Sequence, residues 1–133
     1  MTFREVIASE LRRRQERNRR YSLRRFAAQL GVHHATISRL LRGTRPVPER
    51  TVRAVGSRIG LSAAQLDALV LAEHEAAVLL AIRQPAFRPA SRWLATVSGL
   101  PIDSVNIAIQ SLLRTGRLRM VARDRWVAGG MNG

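Results

Sequence analysis

Arg39 carries a planar guanidinium that can donate to two acceptors at once, the arrangement offered by the O6 and N7 atoms of a guanine edge. His33, His34, Thr36 and Ser38 stand close before it and can donate to or accept from base edges, while Ala35 presents a methyl group of the kind that meets a thymine methyl. Ser22, Arg24, Arg42, Thr44 and Arg45 bracket this run with hydroxyls and guanidiniums. Such groups hold phosphate oxygens and set register without reading sequence.

Other chemistries lack their parts. His74-Glu75-Ala76-Ala77-Val78 is half of a zinc-protease motif, with Val78 where the second ligand would stand. His33 and His34 are adjacent, so on a helix they would diverge by about 100° and would not converge on one metal. There is no Gly-rich phosphate loop and no Ser, His and Asp arrangement beyond what three His supply in any chain. The expectation is a protein that is not an enzyme, with no catalytic residue, no cofactor and no metal. With no Cys and no run of 18 apolar residues, the chain is expected to be cytoplasmic and to have no membrane partner.

Charge points the same way as the side chains around Arg39. All 23 basic residues are Arg, against 9 acids, for a net charge of +14. Residues 1–60 hold 15 of the Arg and only Glu5, Glu10, Glu16 and Glu49, so the positive field is concentrated on the half that contains Arg39. A polyanion-binding surface has this distribution.

The elements that must position these groups follow from spacing. Phe3, Val6, Ile7 and Leu11 make one apolar stripe, so a helix is expected from residue 3 to about 18. Ser22 is an N-cap, with Tyr21 before it able to staple onto Phe26; the helix that follows stops at Gly31. A second helix, over 33–42, turns Ile37 and Leu40 inward and its polar residues outward. Phe26, Ala27, Leu30, Gly31, Val32, Ile37 and Leu40 together meet the demands of a helix-turn-helix: a core-facing set, a small residue where two helices cross, and a glycine in the turn. Pro48 opens a further helix to Ile59, and Ser62 with Gln65 forms a capping box for a long one that either runs on to Gln84 or breaks near Glu73-His74-Glu75.

Two Pro within residues 84–90 mark a hinge or long turn. Beyond it Leu94, Ala95, Gly99, Leu100, Val105 and Ala108 repeat the places of Phe26, Ala27, Gly31, Val32, Ile37 and Leu40, with Ser98 where Leu30 stood. A helix from Pro101 to Thr115 and a hairpin, Leu118–Val121 with Arg125–Ala128 about Ala122-Arg123-Asp124, complete the order helix, helix, helix, hairpin. Trp93 and Trp126 are read as core or interface residues. The expected architecture is mainly α, divided at 1–72 and 73–133.

Residues 22–61, through Ser22-Leu23-Arg24, Phe26-Ala27 and Leu41-Arg42-Gly43-Thr44-Arg45, resemble the Cro and lambda-repressor type (XRE-like) helix-turn-helix, and residues 73–128 resemble a bacterial winged helix. The pairing is similar to small two-module bacterial transcriptional regulators. The resemblance implies a five-helix DNA-binding bundle followed by a winged helix, and a homodimer that binds a palindromic site on double-stranded DNA through helix 33–42 in the major groove. Leu23 and Leu41 depart from the pattern, where many members carry Gln and an acid. The expected base-reading set is His33, His34, Ala35, Thr36, Ser38 and Arg39; the phosphate set is Ser22, Arg24, Arg42, Thr44 and Arg45; Arg119, Arg123 and Arg125 would serve as wing contacts. A second reading makes the chain an adaptor or antitoxin-like protein whose helix-turn-helix serves assembly, with a protein partner on the C-terminal module.

Overall fold

The structure, a computed structural model, describes residues 1–43 and 45–129. Its contacts divide the chain into two units, Met1–Glu73 and His74–Gly133. Both are mainly helical, and the second ends in a two-stranded antiparallel hairpin.

The first unit begins with α1 (Phe3–Arg17), whose first turn is held by a reciprocal capping box between Thr2 and Glu5. Phe3 and Ile7 are fully buried, with Val6 and Leu11 partly so, as the apolar stripe requires. Next, α2 (Leu23–Gln29) starts at Ser22, whose Oγ accepts from the Arg25 amide at 3.1 Å, and the Tyr21 ring meets Phe26 edge-on at 6.3 Å. Its end is a Schellman turn: the Gly31 amide donates to the Ala28 carbonyl and the Val32 amide to Ala27. Gly31 has φ +72°, a conformation that costs a Cβ-bearing residue about 1–2 kcal/mol.

That turn delivers the chain into α3 (His34–Arg42). This helix starts one residue later than expected, because His33 keeps an extended backbone and acts as the N-cap, its Nδ1 accepting from the Ala35 amide at 3.1 Å. Pro48 is likewise the cap of α4 (Glu49–Arg58) and not its first residue. Ser62 and Gln65 form the expected capping box at the start of α5 (Ala63–Ile82), which is continuous through Glu73-His74-Glu75. Gly56 of α4 is where α5 approaches closely, since a Cβ there would meet Leu66. The core joins Phe26, Ala27, Leu30, Ile37 and Leu40 to Phe3, Ile7, Val52, Val55, Leu66, Leu69 and Val70; Val32 and Leu41 pack at its edge, only partly buried.

In the second unit the end of α5 supplies Val78, Ala81 and Ile82 to a separate core. The 84–90 turn is anchored by Phe87, which packs against Trp93 and Trp126 with ring centres 5.8 and 5.4 Å away. Then come α6 (Ser91–Ser98) and α7 (Ile102–Arg114), which bury Leu94, Val105, Ala108, Ile109 and Leu112. Gly99 takes φ +75°, matching Gly31 of the first helix pair. Ser98 in place of a leucine is explained locally: its Oγ donates to the Leu94 carbonyl and accepts from the Leu100 amide. The hairpin pairs β1 (Leu118–Ala122) with β2 (Arg125–Ala128), so Ala122 belongs to a strand rather than to the turn. Arg117 at its base donates to the buried Glu75 of α5 at 2.6 Å.

Candidate nucleic-acid interface

Burial assigns the faces of α3. Ile37 and Leu40 lock it into the core, and the opposite side leaves Ala35, Arg39 and Arg42 exposed and Ser38 half-exposed along one stripe. At 100° per residue these four fall within about 100° of one another. His34 and Thr36 lie half-buried on its two flanks. Arg42, expected among the phosphate ligands, therefore stands on the same stripe as Arg39. His33 reaches the leading end with Nδ1 already engaged in capping, and its ring lies 4.3 Å from that of His34 at 30°.

The flanking groups come from two directions. Ser22 and Arg24, at the start of α2, are exposed, and the Ser22 hydroxyl still has its proton to donate after capping Arg25. Arg45 is exposed on the loop after α3; Thr44, assigned to the same set, lies outside the described residues. Thr36, Arg39, Arg42, Arg45, Pro46, Val47 and Thr51 line a groove of about 500 Å³ beside the helix. Among the described residues no ion pair engages Arg24, Arg39, Arg42 or Arg45. Three other arginines of this unit are spent internally: Arg53 pairs with Glu49 and Asp67, and Arg13 and Arg14 pair with Glu10.

Two supports of this surface have no local sequence signal. The buried Glu73 on α5 accepts from the Val47 amide at 3.0 Å, fixing the loop that carries Arg45. Arg14 of α1 donates to the Tyr21 hydroxyl at 3.0 Å and the Gln29 amide oxygen at 2.8 Å, and its guanidinium lies 5.2 Å above the Phe26 ring, so α1 clamps both ends of α2. The hydrogen bond to the Tyr21 hydroxyl raises the pKa of Arg14 against the loss of hydration, the Glu10 carboxylate adds to the rise, and Arg14 keeps its charge. His34 moves the other way. Loss of hydration, followed by the charges of His33 and Arg24, lowers its pKa below the usual 6.5.

The corresponding helix of the second unit, α7, is different in kind. Between Asp103 and Arg114 its exposed residues are Asn106, Ile107, Gln110 and Leu113, with no cation. Arg119, Arg123 and Arg125 are all exposed on the hairpin and its turn. No helix among the described residues is long and apolar enough to cross a membrane.

Residues 6–69 match the family model described as a helix-turn-helix domain. The match covers most of the first unit, including α2, its glycine turn and α3. No curated protein and no solved structure matches the chain.

Proposed function

We propose, from the premise that residues 6–69 are a helix-turn-helix domain of the DNA-binding kind, that this protein is a transcriptional regulator which recognises a specific duplex site. It does so with α3 in the major groove, as a homodimer on inverted half-sites, and its second unit is a winged-helix-like module. One observation carries the reading: an exposed stripe on the second helix of the motif, ringed by arginines with no ion-pair partner among the described residues. Exposed, unpaired guanidiniums repel one another unless a polyanion meets them, so their clustering here favours an anionic partner.

The roles follow from position. Arg39 makes a bidentate contact to a guanine, Ala35 touches a thymine methyl, and Ser38, His34 and Thr36 meet neighbouring base edges. Ser22, Arg24, Arg42 and Arg45 hold phosphates on either side, and Arg119, Arg123 and Arg125 extend the contact from the hairpin. Selection of bound sites from a pool of random duplexes tests this. The expected outcome is an enriched word in two inverted copies, centred about one or more helical turns apart.

His34 adds a pH dependence whose sign is fixed. Because its folded pKa is lowered, the unfolded chain takes up the proton first; the stability it contributes is complete above about 6.5 and is lost as pH falls further. Nearby phosphates favour the imidazolium, so binding takes up a proton and affinity should rise as pH is lowered through that same window. Titrating one duplex at about pH 7.5 and about pH 6 checks it. His34→Gln should flatten the rise; an unchanged rise would place the proton uptake elsewhere.

A further inference from the structure

We infer that the exposed stripe of α7 is a self-association surface, on which the same helix of a second copy packs antiparallel. The inference deepens the homodimer reading above by naming the surface, and it rests on that reading. Asp103, Ile107, Gln110 and Arg114 recur at i, i+4, i+7 and i+11 and all are exposed, which makes one straight seam along the outer face of the helix. Ile107 is 56% exposed in the middle of the seam, and Leu113, at 38%, borders it on the other edge, so this apolar surface is uncovered within one chain.

Charge selects the occupant. The seam has an acid at one end, a base at the other, and no ionised group between them, and neither Asp103 nor Arg114 has an ion-pair partner among the described residues. Reversing a second copy about a two-fold axis through the middle of α7 brings each Asp103 to the partner's Arg114 and sets each Ile107 beside the partner's Gln110. A two-fold interface demands this self-complementarity, in which i meets j and j meets i. The helix dipole alone accounts for the sign of each end. It does not account for Ile107, a large apolar side chain left more than half exposed in the middle of the seam. A 13-residue helix is about 20 Å long, so the seam is at the small end of specific interfaces and the dissociation constant is expected in the micromolar range.

The test uses the full chain without DNA, by sedimentation equilibrium across concentration. Wild type should show a monomer–dimer equilibrium. Asp103→Arg sets arginines against the partner's Arg114, Arg114→Asp sets two acids together, and each should weaken dimerisation about tenfold or more. Mixing the two variants restores both opposite-charge pairs in a heterodimer, so affinity should return to near the wild-type value. Ile107→Glu, at an exposed site that leaves the core untouched, should also favour the monomer. A wild type that stays monomeric at several hundred micromolar (about 500 μM) overturns the proposal. So does a dimer that none of these changes weakens, or one that mixing fails to restore. If half-sites are still inverted in the selected DNA, such a result removes this surface and leaves the regulator reading intact.

Discussion

Arg39→Ala should lower affinity for the selected site by about 10- to 100-fold, about 1–3 kcal/mol, with little change on random duplex. The guanidinium is exposed on the outward stripe of α3, has no ion partner among the described residues, and belongs to a helix fixed by buried Ile37 and Leu40. Its removal therefore leaves the backbone where it was and deletes only the proposed bidentate contact. Arg45→Ala is the contrasting case. It sits on the loop that Glu73 holds, and its proposed partner is a phosphate, so its loss should weaken all sequences alike and reduce the salt slope of binding by about 1. Titrations of both variants on selected and random duplexes at two salt concentrations separate the roles. Equal loss on both duplexes for Arg39→Ala would remove it from the base-reading set.

The largest effect on stability is expected at Phe26. Its ring is fully buried, meets Tyr21 edge-on and lies beneath the Arg14 guanidinium. Truncation to Ala leaves a cavity between α1, α2 and α3 and costs about 3–5 kcal/mol, a large part of the roughly 5–15 kcal/mol that holds a small domain folded. Thermal melting of Phe26→Ala followed by far-ultraviolet circular dichroism should show the helical transition of the first unit about 15 °C or more lower. Binding measured at 37 °C should fall with it, on every sequence, which distinguishes this loss from that of Arg39→Ala.

What was legible beforehand was local. Ser22, the Tyr21 and Phe26 staple, Gly31 with its positive φ, and the Ser62 and Gln65 box are all specified by offsets of a few residues, and each appears where those offsets place it. Thr2 and Glu5 carry the same kind of signature at the start of α1. The repeat of Phe26, Gly31 and Ile37 in Leu94, Gly99 and Val105 was legible for the same reason, since burial and a left-handed turn leave a mark on residue type.

Contacts across long separations left no such mark. Glu73 and Val47 are 26 residues apart, and Arg117 and Glu75 are 42 apart, so neither pair could be read from spacing. The start of α3 shifted because an imidazole can cap a helix as a hydroxyl does, and His33 took that position. Arg42 joined the outward stripe for a related reason. Once the helix begins at His34 and is held by Ile37 and Leu40, its last residue points the same way as Ala35 and Arg39.

The most direct test of the central claim is the ratio of affinities for a duplex chosen by the protein and for random duplex, at physiological salt. A helix that reads base edges predicts a ratio of about 10³ or more, falling when Arg39 is replaced. A ratio near one, with binding that merely weakens as salt is raised, would contradict it: the arginines would then grip any polyanion, and α3 would read nothing.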